Sequence, residues 1–485
     1  MAEIIIIGGG VAGLSAGIYE QLHGYKATIY EKHFKPGGNL TGWDRLGYHI
    51  DNCIHWLTGT NPVTKEYKIW EDLGALGEVE IYQPETLYTF EKDGMKLSLS
   101  KDLAKFKKDM LVISPEDKKE ILSLIRAIRV VQGINGTAGI NHNEKYSNIK
   151  KIIAAPALLK YNRLTTKDLA ERFKHPVIKG FLNSLFSDYF NSLAFILVAA
   201  VFTGANGGVP AGGSCAMVDR MVEKFKALGG QIKLNMEAVK INIKNNLAES
   251  VTFKDGETKK GDYFLLASDP AMVFGKLLDK SFMPKALVRQ YMNPKLKRFS
   301  SYHCAFACDL SDLPFEGDMA IEIPEKYSEL LNADYVMVRE FSREKGFAPK
   351  GKNILQTMTY CLEKEATDFI ELRKDIKAYK ERKQNISAAI EEIILDKFPE
   401  FKGLIKCIDV WTPATYRRYT NSEIGSFMSF AFPANIFPKK LPNRIDSVKN
   451  VILATQWLQA PGGLPIAADS GKNAINTIVK RNQKK

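Results

Sequence analysis

The pattern of hydrophobic positions at the start of the chain predicts a βαβ unit. Residues 4–7 are four consecutive isoleucines, as expected for a parallel strand buried on both faces. A glycine-rich turn and a helix through Tyr19 and Leu22 follow, and residues 27–30 form a second apolar strand that ends at Glu31. This order is typical of an α/β fold with a Rossmann-like, doubly wound parallel sheet.

The rest of the chain alternates between helical and extended patterns. Residues 62–202 are predicted to be mostly helical, with a β segment over 82–99. The later pattern predicts a helix over 216–228, strands over 231–234, 239–243, 248–253, 263–267 and within 300–359, a helical region over 364–397, a strand over 448–453 and a helix over 470–480.

The longest plain apolar run, residues 193–202, has ten residues. A membrane-spanning helix needs about 20 apolar residues, so this run predicts a buried element. Near the N-terminus an acid, Glu3, stands where a secretory signal would carry basic residues, so no such signal is expected.

Composition places the chain among globular proteins with more than one structural unit. It has 485 residues, of which 45% are hydrophobic and 25% charged, which excludes disordered and fibrous classes. The six cysteines include no Cys-x-x-Cys pair, so neither a disulfide scaffold nor a zinc module is expected, and no metal site is predicted. Reduced thiols in a cytoplasmic protein are the simplest interpretation.

The turn after the first strand has the spacing Gly8-x-Gly10-x-x-Gly13. In such a motif the first glycine permits a tight turn, the second lets the backbone approach a pyrophosphate, and the third lets helix and strand pack closely. Glu31 ends the second strand, where a carboxylate accepts hydrogen bonds from ribose hydroxyls. Gly8, Gly10, Val11, Ala12, Gly13 and Glu31 are therefore predicted to bind a dinucleotide; the alternative is a glycine-rich turn of any α/β protein.

A second glycine pair, Gly37-Gly38, follows Glu31 and precedes Asn39. It lets another backbone segment reach the cofactor. Because no second Gly-x-Gly-x-x-Gly follows a strand downstream, we expect no tight NAD(P)H site in this chain and an external electron donor or acceptor instead.

Four segments together resemble the FAD-dependent phytoene desaturase, carotenoid isomerase and retinol saturase family, within the wider flavin amine oxidase superfamily. The segments are residues 8–13 with Glu31 and Gly37-Gly38, residues 47–59, residues 209–214 with the following helix and the strand that holds Val239, and residues 450–457 with 461–465 and 470–471. The sequence departs from the family pattern at Cys53 and Ala454, where glycine is usual, so the backbone on the flavin side is expected to be slightly displaced.

The resemblance implies non-covalent FAD and an oxidoreductase, a desaturase or saturase, that acts on carbon–carbon double bonds of a lipophilic polyene, isoprenoid or related lipid. It implies that the backbone of Val239 pairs with the adenine and that residues 209–214 lie beside the substrate cavity. Further cofactor contacts are implied for Lys32, Gly37, Gly38, Asn39, Gln456, Trp457, Gly462, Gly463, Leu464 and Pro465.

Three other functions stay open at this point. A redox-neutral double-bond isomerase would turn over without net electron consumption. An amine oxidase would need an aromatic cage around an amine. A non-catalytic flavin-binding sensor would hold FAD without being reduced by any donor.

His55 is the candidate catalytic residue near the flavin. With an ordinary pKa of about 6.5, a histidine can donate or accept the proton that accompanies hydride transfer at a double bond. Tyr48 and Asp51 are weaker candidates. The alternative is a buried histidine that hydrogen-bonds the cofactor or a loop and transfers no proton.

Basic residues concentrate in one stretch, which bears on partners. Residues 101–174 contain 16 Lys or Arg and 8 Asp or Glu, against a net charge of +13 for the whole chain. Within it, residues 150–160 place apolar side chains between lysines, which suits a helix in a membrane interface and equally a helix packed on the core. No recognition motif or exposed aromatic pattern accompanies the charge, so nucleic-acid binding is not expected.

The motifs predict a discontinuous domain organisation. Residues 1–70, 205–270 and 445–485 must all reach one cofactor and are assigned to an FAD-binding domain. Residues 71–204 and 271–444 are assigned to a substrate domain with a mixed sheet and helices, and its basic part at 101–174 is the candidate membrane-facing region.

Overall fold

A five-stranded parallel sheet carries the N-terminal unit of the computed structural model, which describes residues 2–133, 155–431 and 433–483. Its strands come from three separate parts of the chain, in agreement with the motifs. In spatial order they are β10 (Gln231–Lys233), β2 (Lys26–Tyr30), β1 (Glu3–Ile7), β14 (Tyr263–Leu266) and β21 (Val451–Leu453).

Both faces of this sheet are covered, which explains the uninterrupted isoleucines of β1. Ile4 and Ile6 pack on one side with helices α1 (Val11–Leu22), α9 (Gly213–Ala227) and α16 (Leu464–Asn482). Ile5 and Ile7 pack on the other side with a three-stranded antiparallel sheet. Its strands are β11 (Ala238–Lys244), β12 (Leu247–Phe253) and β13 (Thr258–Lys260).

A larger, eight-stranded mixed sheet forms the second layer of the molecule. In spatial order its strands are β19 (Ile405–Trp411), β15 (Lys297–Cys308), β18 (Asn353–Leu362), β17 (Tyr335–Glu340), β16 (Asp318–Glu322), β7 (Thr86–Lys92) and β8 (Met95–Ser100), with β20 (Phe430–Ala431) at the side. All its pairings are antiparallel except that of β16 with β7, and β20 pairs with the first residues of β15.

The two faces of this sheet differ in character because side chains alternate along each strand. Tyr302, Cys304 and Phe306 of β15 pack against a helical layer. That layer consists of α12 (Glu325–Leu331), α13 (Glu363–Leu372) and α14 (Ile376–Lys397). Ser301 and His303 of the same strand face the other way, toward the N-terminal unit and a cavity described below.

The remaining elements surround these layers. Two small sheets are formed by β3 (Gly42–Arg45) with β4 (Tyr48–Asp51), and by β5 (Leu57–Thr58), β9 (Gly207–Pro210) and β6 (Ile81–Tyr82). The other helices are α2 (Lys65–Asp72), α3 (Leu103–Ile113), α4 (Lys118–Gly133), α5 (its described part, 155–162), α6 (Thr166–Ala170), α7 (Pro176–Ser184), α8 (Leu193–Thr203), α10 (Pro270–Met272), α11 (Lys285–Tyr291) and α15 (Pro413–Thr420).

The long apolar run is the buried helix α8, as predicted, with Phe195, Ile196 and Phe202 at most 1% exposed. Within the described ranges, each helix is too short or too polar to cross a membrane. The last helix starts at Leu464 and not at residue 470, because Pro465 occupies its first turn, where a missing N–H costs nothing. The division into two domains at the predicted boundaries stays a prediction.

Candidate active site

The glycine-rich turn between β1 and α1 is closed by a very short approach between strand and helix. A side chain on Gly13 would place its Cβ 1.9 Å from the carbonyl oxygen of Gly8. Glycine is therefore required there, in the packing role that the motif assigns to its third glycine. Helix α1 begins at Val11, directly after this turn. Its N-terminus therefore lies at the end of the sheet where the cofactor is expected.

Glu31 lies directly beneath this turn, at the end of β2. Its Oε2 accepts a hydrogen bond from the backbone N–H of Gly9 at 2.6 Å, and its Oε1 accepts one from His33 at 2.8 Å. Burial raises the pKa of Glu31, and these two backbone hydrogen bonds oppose that rise. The carboxylate is thereby fixed where a ribose would reach it.

The second glycine pair is joined to the first turn, as the sequence predicts. The backbone N–H of Gly37 donates to the carbonyl of Gly9 at 2.8 Å, and Gly10 and Gly37 form a β-bridge. Beside them, Asn39 donates through Nδ2 to the carbonyl of Phe427 at 3.3 Å, while its buried Oδ1 has no hydrogen-bond partner among the described residues. A buried amide oxygen left open is a place for a ligand donor.

The C-terminal loop is held by Gln456. Its Oε1 accepts a hydrogen bond from the N–H of Gly463 at 2.7 Å, and its Nε2 donates to the carbonyl of Phe427 at 3.2 Å. Gly462 has a φ of +86°, and a Cβ there would lie 2.7 Å from Oε1 of Gln456, so glycine is needed on both counts. Trp457 packs against Tyr291 at 5.7 Å between ring centroids.

These three loops line one end of a cavity of about 1020 Å³. The predicted cofactor residues that line it are Gly10, Val11, Ala12, Gly37, Gly38, Asn39, Gln456, Trp457, Gly462, Gly463, Leu464 and Pro465. Gly8, Gly13 and Glu31 do not line the cavity; they form the turn and its support. Ala454, one of the two departures, is fully buried behind the C-terminal loop.

Lys32 and Val239 lie away from this cavity. The Nζ of Lys32 donates to the carbonyl of Arg418 at 2.8 Å. Val239 is 39% exposed on β11, and the pairing of β11 with β12 skips it at a bulge between Ala238 and Lys240. The ladder thus leaves the backbone of Val239 available for an adenine, but the roles of both residues stay predictions.

The residues fit FAD. A helix N-terminus beside two glycine turns is suited to a pyrophosphate, and Glu31 is suited to the adenosine ribose. The C-terminal loop and the open Oδ1 of Asn39 lie farther along the same cavity wall, where hydrogen-bond donors of a flavin would find acceptors.

His55 is brought into this cavity by a clamped turn. Asp51 accepts hydrogen bonds from the N–H and the Oγ of Ser214, each at 2.6 Å, and from the N–H groups of Cys53 and Ile54 at 3.0 and 3.2 Å. Asp51 therefore positions the turn, and neither it nor Tyr48 lines the cavity. Residues 209–214 also lie outside the lining and support the turn from behind through Ser214, and the expected place of this loop beside the substrate cavity stays a prediction.

The ring of His55 lines the cavity, and within the described chain no hydrogen bond to either ring nitrogen is found. Burial lowers the pKa of His55 well below its ordinary value, and the nearby charge of Arg339 lowers it further. The imidazole is consequently neutral at pH 7.

A hydrogen-bond network that the motifs did not reveal lines the same cavity as His55. The Nε2 of His303 lies 2.7 Å from the Oγ of Ser301 and 3.1 Å from the hydroxyl of Tyr416, which also donates to Oδ1 of Asn52 at 3.1 Å. The His303 ring stacks on Trp411 at 4.7 Å. Burial lowers the pKa of His303 to about 3.

A second unpredicted group is an ion pair in the cavity wall, Asp318 with Arg339, with Tyr360 nearby. One signal in the sequence could have found Arg339. It is the single cation of the strand YVMVRE and directly follows an apolar run, at a position that alternation places on the same face as Met337. Asp318 carries no such signal, because it starts a strand, where charged residues are common.

Comparison with known proteins agrees with this site. Residues 11–344 match the family model described as flavin containing amine oxidoreductase. Prolycopene isomerase from Daucus carota is 22% identical over 450 residues, which cover 88% of this chain and 71% of the relative. The 1-hydroxycarotenoid 3,4-desaturase of Flavobacterium sp. is 23% identical over 309 residues, 60% of this chain and 61% of the relative.

Solved structures share the fold. An oxidoreductase from Methanosarcina mazei superposes with a TM-score of 0.60 at 16% identity, covering 99% of this chain and 100% of the other. A redesigned putrescine oxidase superposes with a TM-score of 0.62 at 13% identity, covering 99% of both chains. The predicted fold class and the predicted cofactor, FAD, are thereby confirmed. The matched model spans more than half of the sequence, and the chain therefore belongs to the family of flavin-containing amine oxidoreductases.

Proposed function

We propose that this FAD-dependent oxidoreductase acts on carbon–carbon double bonds of a lipophilic polyene or isoprenoid. The observation that carries the proposal is the cavity, which continues from the cofactor loops into a region with apolar walls. Those walls include Leu158, Leu185, Phe186, Phe190, Leu193, Leu197, Val198, Val201, Met337 and Met358. The names of the curated relatives, carotenoid isomerase and desaturase, agree with such a substrate.

The cofactor would be held by the two glycine turns, Glu31 and the C-terminal loop. The chemistry that FAD supplies when bound is the uptake or return of a hydride. The apolar walls hold an extended hydrocarbon chain and exclude water from the reacting carbons. The titratable side chains that line the cavity in the described chain include His55, His303, Tyr360 and Tyr416, and its carboxyl groups are those of Asp269 and Asp318.

His55 is proposed to move that proton. Its neutral ring presents an unprotonated nitrogen to the cavity, which can accept a proton from the carbon next to the one that loses a hydride, so that a double bond forms between the two. A neutral imidazole is a weak acid and therefore a poor proton donor for the reverse addition. The lowered pKa of His55 thus supports desaturation more than saturation.

An amine oxidase is disfavoured by the aromatic residues of the cavity. The rings of Tyr360 and Phe427 lie 6.3 Å apart and nearly parallel, at 30°. For an amine to fit between two rings, their centroids must be about 7 Å apart, which is the sum of two van der Waals contacts of about 3.5 Å.

Anaerobic reduction of the bound flavin tests the proposed function. The FAD-loaded protein is mixed with phytoene, neurosporene or lycopene in detergent, or with putrescine, and the flavin absorbance near 450 nm is followed while products are analysed by mass spectrometry. We expect bleaching with a polyene and a product that has lost two hydrogens. Bleaching by putrescine alone would overturn the proposal, and an isomerised polyene without bleaching would establish the redox-neutral alternative.

A peripheral contact with a membrane is proposed for the basic segment. On helices α3 and α4, Lys108, Lys118 and Lys119 are exposed, as are the apolar side chains of Val112, 71% exposed, and Leu122, 37% exposed. Leu159 of α5 is 48% exposed, while its neighbour Leu158 lines the cavity. Helix α5 thus lies between solvent and cavity, which suits entry of a lipid. Residues 150–154 of the predicted interfacial helix lie outside the described residues.

Flotation with vesicles of phosphatidylglycerol and phosphatidylcholine tests this contact. Each basic residue near an anionic surface contributes about 1 kcal/mol, and salt screens it, so binding should weaken as ionic strength rises. Lys118→Ser/Lys119→Ser should bind less, whereas Lys377→Ser/Lys380→Ser on α14 should bind like the parent. No binding at low salt would contradict the membrane contact.

The external electron partner also stays a proposal. Because the chain carries a single dinucleotide motif, NADH or NADPH alone at micromolar concentration should reduce the flavin only slowly. Rapid stoichiometric reduction by either nucleotide in a stopped-flow experiment would contradict this expectation.

A further inference from the structure

We propose that the substrate carries an uncharged oxygen group, a hydroxyl or a carbonyl, that binds to the Asp318–Arg339 pair in the cavity wall. This inference rests on the proposed function and narrows its substrate class, since a pure hydrocarbon would leave that pair without a partner.

The pair is built into the eight-stranded sheet. Asp318 on β16 and Arg339 on β17 are directly opposite each other in the antiparallel ladder. The Nε of Arg339 donates to Oδ1 of Asp318 at 2.7 Å, and Nη2 donates to Oδ2. Their side chains are only 12% and 17% exposed for Arg339 and Asp318 respectively, and both line the cavity.

One nitrogen of the Arg339 guanidinium is not used in the ion pair and can still donate hydrogen bonds. The Nη1 of Arg339 makes no hydrogen bond to any described residue. Each carboxylate oxygen of Asp318 accepts one bond from Arg339 and keeps a lone pair for a second. A hydroxyl could therefore accept from Arg339 and donate to Asp318, and a carbonyl could accept from Arg339.

A bound hydrocarbon would be unfavourable at this place. It would displace water from Nη1 and offer no hydrogen bond in return, which leaves a buried charged donor unsatisfied. Replacing a buried ion pair by apolar side chains is often neutral or stabilising, so a cavity meant only for hydrocarbon gains nothing from the pair. The apolar neighbours Met337 and Met358 lie on the same face of the sheet.

The charge balance favours an uncharged group over a carboxylate. Asp318 already neutralises Arg339, so a second anion would be repelled by the Asp318 carboxylate in an enclosed site. Tyr360 lies close to the pair, and burial raises its pKa to about 12, so its hydroxyl stays protonated and adds no charge.

The pair lines the same cavity as the proposed catalytic residue His55, and the charge of Arg339 contributes to the lowered pKa of that histidine. An oxygen group held by Arg339 would thus place carbons a short distance along the chain beside His55. The pair would select which bond of a long polyene reacts.

Binding of matched lipids tests the inference. The FAD-loaded protein is titrated in detergent with geranylgeraniol, with the hydrocarbon that lacks its hydroxyl, and with geranylgeranoic acid, while the flavin spectrum is recorded. We expect the alcohol to bind about tenfold more tightly than the hydrocarbon and more tightly than the acid, as one hydrogen bond to a charged group provides.

The double variant Asp318→Leu/Arg339→Met replaces the pair by apolar side chains without leaving one charge alone. It should bind the hydrocarbon at least as tightly as the parent does, because no charged donor is left unsatisfied, and it should lose the preference for the alcohol. The control Lys92→Met/Glu322→Gln removes an ion pair of 2.8 Å on the same sheet outside the cavity and should keep the preference.

The outcomes separate the two proposals. Equal or tighter binding of the hydrocarbon by the parent, a preference for the acid, or an unchanged preference in the Asp318/Arg339 variant would overturn the oxygen group while the lipid function stands. If none of the three lipids binds, the proposed function fails and this inference fails with it.

Discussion

The buried side chain of His303 makes the free energy of unfolding depend on pH in the acid range. Unfolded, a histidine binds a proton near pH 6.5, whereas burial lowers the pKa of His303 to about 3. Between these values the unfolded state binds more protons, so the free energy of unfolding falls as pH falls, by up to about 1.4 kcal/mol per pH unit for this group.

His303→Gln should therefore flatten the dependence of the unfolding free energy on pH between about 6 and 4 by the equivalent of one proton. Denaturant unfolding at a series of pH values measures this slope. His23→Gln, a change at an exposed position, should leave the slope as it is. An equal slope in His303→Gln and the parent would show that His303 is protonated in the folded protein.

His55 is expected to affect turnover and not cofactor binding. His55→Ala should retain FAD and lose turnover by about 10²-fold or more if its ring accepts the substrate proton. Activity of the parent should then persist to a pH well below 6.5, because the pKa of His55 is lowered. His49→Gln is a matched control, since His49 lies on the neighbouring strand β4 and outside the cavity lining. Turnover at the parent's rate in His55→Ala would assign the proton transfer to another group.

At the scale of elements, the βαβ unit concentrates the cofactor contacts that the sequence could predict. Glu31→Gln should weaken FAD binding by about 1–3 kcal/mol, because an amide replaces a charged hydrogen-bond acceptor and its NH₂ opposes a backbone donor. Reconstitution of the apoprotein, followed by flavin fluorescence, measures this. Glu249→Gln on an exposed position of β12 should bind FAD normally, and normal binding by Glu31→Gln would remove Glu31 from the ribose site.

The cofactor loops could be predicted because their signals are local. Gly13 and Glu31 lie within one strand–helix–strand unit, and the close approach that requires Gly13 is between neighbours in the chain. The pair Asp318 and Arg339 could not be predicted in this way, because it depends on the pairing of β16 with β17 and on which face of the sheet meets the cavity. His303 was missed for the same reason, since its partner Tyr416 is 113 residues away.

At the scale of the whole molecule, the cavity joins parts of the chain that are far apart in sequence. Its cofactor end is lined by Gly10, Gly38 and Gly463, whose segments belong to the N-terminal unit, and by Phe427 and Met428, which lead into β20 of the eight-stranded sheet. A ligand that contacts all of them binds the folded state alone. It should stabilise the fold by about 2.7 kcal/mol when its concentration is 100 times the dissociation constant.

Thermal unfolding with FAD and with FMN tests whether both ends of the site contribute to this stabilisation. FMN lacks the adenosine half, and the adenosine ribose is the group expected to bind Glu31. At equal concentrations FAD should therefore raise the melting temperature of the parent more than FMN does. In Glu31→Gln, the shift caused by FAD should be smaller than in the parent, whereas the shift caused by FMN should be unchanged. Equal shifts from FAD and FMN would mean that the βαβ unit adds no binding energy and that the flavin end alone holds the cofactor.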